Sequence, residues 1–514
     1  MTLEEMVGQQ LMIGIPGTEA SPAVIKQFKD VYAGALIIFR PNFYSAAQFK
    51  KLISDLENAL DRNLLIAVDH EGGRVIHIAE GASVFPDNLA FGRAGSITHV
   101  EEQGRIESGE LRNLGFDVNL APTLDVLTET FSPNIGIRSY GQDPDLVSKL
   151  GSARIKSMQE GGLSACAKHF PGQGHSSIDA HLGLPVLLGT WEEMQATHLK
   201  PFKAAIEAGV DTIMSSHPVY PELDSPKVSA TFSHPIIHDL LREKLGFKGV
   251  VLSDDLEMGA LRNICDIGEA ACRAVLAGHD IVLICHDLEA QRSAFQRLLD
   301  GYRSGKLNVK NLEESVERIQ NLKRKRNKRF ASHSVLPEAG KKLSLEVVRK
   351  AVEMYGTSGF ENLSTANSKL IIFPKLSSLA DRIFIEKECL DEEKFIKNIF
   401  RSPSINQGVL NVEIVDFDPE ESQIQKLRNL SKQSDVIFFF CFDAHLYPKS
   451  RRLLECLQDS AKRLVIILLR DPYDREFVRA GSLCVTAFGF RAMQIRAVLE
   501  RIFQSQPTHA PQHI

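Results

Sequence analysis

Short apolar runs alternate with longer amphipathic stretches along the first part of the chain. Runs at Leu11 to Ile15, Ala35 to Phe39, Leu64 to Val68, Val118 to Ala121, Leu163 to Ala167, Asp211 to Ser215, Val250 to Ser253 and Asp280 to Ile284 predict eight strands. Ser45 to Leu60, Val100 to Leu114, Asp145 to Gln159, Pro201 to Ala208 and Pro235 to Leu245 predict helices between them. This alternation argues for βα units on a parallel sheet. Eight units in order predict an α/β fold of the TIM-type (β/α)8 barrel class. Asp69, Arg138, Lys168, His169, His217 and Asp254 fall at or beyond the ends of apolar runs, the face from which such barrels work.

Asn311 to Arg329 reads as a helix ending in the cationic stretch KRKRNKR, a solvated helix end whose charges suit the carboxyl end of the helix dipole. From Lys369 a second rhythm begins, with strands predicted at Leu370 to Phe373, Val412 to Val415, Asp435 to Phe442, Leu464 to Leu469 and Leu483 to Ala487. This predicts a smaller doubly wound αβα sandwich domain. No GxGxxG or phosphate-loop string accompanies it, so a structural or substrate-rim role is expected. The boundaries read as a barrel over 1–330, an interdomain connection over 331–366 and the sandwich domain over 367–514.

Composition narrows the class. At 514 residues, 43% hydrophobic and 24% charged, the chain is expected to be a globular protein of more than one domain. A net charge of -5 gives no general attraction for nucleic acid or an anionic membrane. Eight dispersed cysteines without a CxxC pair fit a reducing compartment. The opening MTLEEMVGQQ lacks the basic and apolar segments of a signal peptide, and no apolar run is long enough to span a bilayer, so a cytoplasmic location is expected.

The chemistry concentrates in two tracts. Lys168 to Pro185, KHFPGQGHSSIDAHLGLP, gathers Lys, three His and an Asp in a Gly-rich loop after an apolar run; Ser253 to Met258, SDDLEM, delivers paired carboxylates after another. Together with VDHEGGRV at 68–75, VNLAPTLDV at 118–126 and IGIRSYG at 135–141, these tracts resemble glycoside hydrolase family 3, in its NagZ-like β-N-acetylglucosaminidase branch. The resemblance spans roughly the first 330 residues and is looser past 365.

That resemblance implies a retaining glycosidase releasing terminal β-linked N-acetylglucosamine from a small carbohydrate, with no cofactor and no metal. A retaining route needs a carboxylate at the anomeric carbon and a proton donor at the departing oxygen. The resemblance makes Asp254 the nucleophile and His181 the acid/base, oriented by Asp179. An imidazole with an ordinary pKa near 6.5 exchanges a proton close to neutrality. Asp69, Arg138, Lys168 and His169 are implied to hold the sugar, and Met258 to line the pocket. His217 is read as a supporting group or equally as a structural histidine. The chain departs from the family at Gln173 and His175, where Gly-His-Gly-Asp is common, which bears on loop closure and aglycone preference and makes His175 a rival donor.

Other readings stay open. A β-N-acetylglucosaminide phosphorylase or another family 3 specificity would use the same scaffold. The histidines on one barrel face would also suit a metal-dependent barrel hydrolase, although no HxH or HExxH string supports it. The family also includes enzymes acting on recycled peptidoglycan fragments, and that role remains an expectation by analogy.

Overall fold

The computed structural model describes every residue except 177–182, 226, 328–336, 357–359, 402–404, 406–407 and 505–514. By internal contacts the chain divides into two units, Met1–Asn88 with Gly95–Leu343, and Leu89–Ala94 with Ser344–Ile514.

The first unit is a closed barrel of eight parallel strands in sequence order: β1 Leu11–Ile13, β2 Ala35–Ile38, β3 Leu65–Val68, β4 Val118–Asn119, β5 Ser164–Phe170, β6 Thr212–Ser215, β7 Val250–Asp255 and β8 Ile281–Ile284. β1 pairs with both β2 and β8, so the sheet has no free edge. The strands read as unbroken apolar runs because they are buried on both faces. Met12, Ile37, Ala67, Cys166, Met214 and Leu252 are among those filling the barrel interior. The intervening helices start on ordinary caps. Ser45 accepts from Gln48 N–H at 3.2 Å ahead of Ala46–Leu60, and Asp143 from Asp145 N–H at 2.9 Å ahead of Pro144–Glu160.

Two strands run further than their apolar content suggests. β5 continues through Lys168 and His169 to Phe170, so these two residues lie on the strand and not in the loop after it. β7 continues through Asp254 to Asp255. In both cases polar side chains extend the ladder where the barrel opens, and the apolar pattern alone stops short.

The second unit holds six strands in the order β11-β10-β12-β13-β14-β9. They are β9 Glu353–Tyr355, β10 Ser368–Pro374, β11 Val409–Val415, β12 Val436–Cys441, β13 Leu464–Leu468 and β14 Leu483–Thr486. β10 to β14 are parallel in a doubly wound order, and β9 runs antiparallel to β14. Both faces are covered, with Phe438 and Phe440 in one apolar cluster and Ile437 and Phe439 in the other. The stretch 331–366, read as a connection, contains the helix Pro337–Ala351 and the edge strand β9; residues 331–336 and 357–359 lie outside the described residues. The cationic helix runs Val309–Asn327, and 328–329 also fall outside them. All eight cysteines are free thiols. Among the described residues no helix is long and apolar enough to cross a membrane.

Candidate active site

The candidate side chains leave the carboxyl ends of β3, β5 and β7 and the turn Gly136–Arg138. Asp69 follows β3 directly. The turn after it is fixed by Asn119 of β4, whose side chain accepts from His70 N–H at 3.0 Å and donates to His70 carbonyl at 2.9 Å. Lys168 on β5 donates to Asp69 at 2.6 Å and pairs with Glu71 at 2.7 Å.

Glu71 is the centre of this group. Arg138 donates to its two oxygens at 2.6 and 2.9 Å, and Thr123 donates at 3.1 Å. Burial would raise the Glu71 pKa, yet the Arg138 and Lys168 charges hold it well below the ordinary carboxylate range. Asp69 is pushed upward by burial, opposed mainly by Lys168. Two cations thus serve two carboxylates, with Glu71 holding both and Asp69 sharing one. Behind them the fully buried Arg154 donates to Glu71 carbonyl at 2.7 Å and to Glu107 at 2.6 and 3.0 Å, which fixes the backbone carrying the pair.

A second buried carboxylate organises β5. Asp125 accepts from His169 Nδ1 at 2.8 Å, from His169 N–H at 3.3 Å and from Gln173 N–H at 2.7 Å. With Nδ1 donating to Asp125, His169 Nε2 faces the Arg138 guanidinium at 3.5 Å. Neither Glu71 nor Asp125 was singled out from the sequence, although both lie inside the family tracts VDHEGGRV and VNLAPTLDV.

Asp254 stands at the end of β7 and accepts from Asp255 N–H at 2.8 Å. Burial raises its pKa, but His217, His169, the Asp255 amide and Lys168 together bring it below the ordinary value. His217 Nε2 donates to Asp255 carbonyl at 3.0 Å, and its Nδ1 lies 2.8 Å from Thr231 Oγ1. Asp255 differs from its neighbour. Burial pushes its pKa up to about 6, and its carboxylate accepts from Glu257 N–H at 3.1 Å, capping the turn that follows.

Asp69, Asp254 and Met258 line one cavity of about 440 Å³, with Phe39, Asp255 and His286 also on its wall. Lys168, Arg138 and His169 stand behind it, joined to it through Asp69 and the Glu71 and Asp125 networks. His175 is elsewhere. It meets Thr128 Oγ1 at 3.0 Å and lines a different cavity, of about 610 Å³, with His198 and Tyr220.

Asp179 and His181 lie outside the described residues. The chain on either side is pinned to the barrel. Gly174 carbonyl accepts from Thr128 and Glu129 N–H at 3.1 Å each, and Val219 accepts from Leu187 N–H at 2.8 Å and donates to Pro185 carbonyl at 2.9 Å. A Cβ at Gly174 would fall 1.9 Å from Val126 carbonyl oxygen, so only glycine permits this approach.

Comparison with known proteins gives the same direction. The glycosyl hydrolase family 3 N terminal domain matches residues 2–322. A beta-hexosaminidase of Idiomarina loihiensis is 37% identical over 285 residues, covering 54% of this chain and 84% of its own. A glycoside hydrolase family 3 beta-N-acetylglucosaminidase from Paenibacillus sp. str. FPU-7 superposes with a TM-score of 0.89 at 30% identity, covering 98% of this chain and 97% of that one. NagZ from Neisseria gonorrhoeae superposes with a TM-score of 0.53 at 31% identity, covering 65% and 92%. With the family domain matched over more than half its length, and the tracts that carry the resemblance gathered at one end of the barrel, the chain belongs to glycosyl hydrolase family 3 and is a glycoside hydrolase.

Proposed function

We propose that the chain is a retaining β-N-acetylglucosaminidase, with Asp254 as nucleophile, His181 as acid/base and Asp179 as its partner. The observation that carries this reading is the state of Asp254, a carboxylate at the barrel mouth favoured in its ionised form by His217, His169 and Lys168 and opening on the same cavity as Asp69. A nucleophilic carboxylate must be ionised to attack the anomeric carbon, and its conjugate must leave again on hydrolysis. Beside it, Asp69 is the acceptor for sugar hydroxyls, and Lys168, Arg138 and His169 are the donors for hydroxyls or the N-acetyl group.

The names of the related proteins support the hexosaminide specificity. Among the described residues, the two groups able to hold a metal lie at His234, His238 and Asp239 and at Asp443, His445 and Asp471, none of which lines the cavity with Asp254.

Hydrolysis of a panel of aryl β-glycosides tests the specificity, with the N-acetylglucosaminide set beside the glucoside, galactoside and xyloside. Chitobiose and a GlcNAc–anhydromuramic acid fragment serve as natural-type substrates. Each assay is run with and without phosphate. Release of free N-acetylglucosamine, unaffected by phosphate and far faster than the other sugars, is the expected result. A sugar phosphate as product, or preference for the glucoside, would replace this reading.

A further inference from the structure

We propose that His234, His238 and Asp239 form a surface site for a divalent transition-metal ion of the zinc and copper class, separate from the sugar-cleaving centre. The three residues stand at the start of the π-helical segment Pro235–Lys244. His234, at φ -59° and ψ -43°, already continues the helical backbone, so the two histidines sit four residues apart on one face. Their rings stack with centroids 4.5 Å apart.

Asp239 Oδ1 lies 2.9 Å from His238 Nδ1 and 3.4 Å from His234 Nδ1. Three ligand atoms, two imidazole nitrogens and one carboxylate oxygen, therefore converge within 4.8 Å of one another. The two separations from Asp239, 2.9 and 3.4 Å, lie on either side of what a metal asks for. With metal–ligand bonds of about 2.0–2.1 Å, neighbouring ligands of a tetrahedral ion lie ~3.3 Å apart. Binding then exchanges the protons between the carboxylate and the rings for the ion, with small side-chain adjustments.

The backbone under the site is fixed. Ile236 and Ile237 are fully buried, and Ser233 caps the turn by accepting from Ile236 N–H at 3.2 Å while donating to Asp224 at 2.6 Å. A fixed backbone leaves only the side-chain rotamers to be ordered on binding, which favours a two-histidine, one-carboxylate site. All three side chains are substantially exposed, so the remaining coordination positions face water or a donor from another molecule.

The other group of this kind is a poorer host. Asp443, His445 and Asp471 are buried beside Arg470, whose guanidinium lies 2.6 Å from Asp443 and 3.4 Å from Asp471, and His445 is already bonded to Asp474 at 2.8 Å. An ion there would have to displace an arginine.

The full-length protein, stripped with a chelator, is titrated with zinc by calorimetry and with cobalt by visible absorption. Expected are binding in the micromolar range, proton release on binding, tighter binding of copper than of zinc, and a cobalt spectrum of tetrahedral type. His238→Ala and Asp239→Asn should each weaken this binding by at least ~10-fold. The double variant His234→Ala/His238→Ala should abolish it while leaving glycosidase activity unchanged. Zinc should also raise the melting temperature of the parent and not of the double variant. Undiminished binding in the double variant, or no zinc uptake below millimolar concentration in the parent, overturns the proposal.

Discussion

Asp125 holds His169 at two points, its carboxylate accepting from both the backbone N–H and the imidazole Nδ1 of the same residue. Backbone position and ring tautomer are thereby set by one buried group. In Asp125→Asn the amide can present its NH₂ to Nδ1 and reverse the tautomer, turning Nε2–H toward Arg138. A loss of kcat/KM of about 10- to 100-fold is expected, the range seen when a carboxylate orienting a histidine is removed. Steady-state kinetics alongside a circular dichroism melt separates this from misfolding, which would lower the melting temperature in parallel.

Asp254→Asn should be inactive yet folded, since no neighbour can form the glycosyl bond in its place. A 2-fluoro or 5-fluoro sugar should label the parent once, and peptide mapping should put the label on Asp254. A label on Asp255, whose pKa sits near 6, would exchange the roles of the two residues.

His181→Ala should slow cleavage of poor leaving groups by a factor on the order of 100 to 10,000, whereas dinitrophenolate, which departs without a proton, should be released nearly as fast as before in a pre-steady-state burst. Equal loss for both classes would assign His181 to sugar binding. His175, bonded to Thr128 at the other cavity, would not be the natural substitute.

Removing Glu71's charge should be costly to the fold. Glu71→Gln leaves the buried Lys168 paired with Asp69 alone and takes from the buried Arg138 the carboxylate that it pairs with, leaving it only the longer-range attraction of Asp69 and Asp125. Losing one member of a buried ionic network typically destabilises by about 3–5 kcal/mol. Urea unfolding of the variant should show a correspondingly lower midpoint, and an unchanged midpoint would mean that the cations find other partners.

Asp255 supplies a pH test. Burial raises its pKa from the ordinary 3.8 to about 6, so the fold prefers its neutral form. The resulting stabilisation is complete below 3.8 and is lost as pH rises through about 6. The displacement corresponds to roughly 3 kcal/mol as an order of magnitude. Asp255→Asn, neutral throughout, should match the parent near pH 4 and become more stable than it by pH 7.5. Melting curves across this range check the crossover; a constant difference would remove the argument.

The barrel strands were legible because burial on both faces leaves each as a compact apolar run, as in Ala35–Ile38 or Ile281–Ile284. The same criterion stopped at Ala167 and Ser253, where the ladder goes on through polar and charged residues. β9 was invisible for a related reason. Its three residues are all half-buried and pair along one edge, so no apolar signal marks them. Asp69, Arg138, Lys168, His169 and Asp254 were named from motifs. Glu71 and Asp125 were missed because their importance lies in convergence from distant segments, such as the 67 positions separating Glu71 from Arg138.

The pinned residues on either side of 177–182 give the proposed acid/base pair a particular kinetic character. Gly174 is fixed against Val126 and Thr128, and Leu187 against Val219, so in the sequence Asp179 and His181 fall between two anchored points. For a group carried between two anchored points, the effective concentration at a target depends on the number of residues between those points. Inserting residues between the two anchored points should therefore slow the proposed proton transfer without replacing either member of the proposed pair.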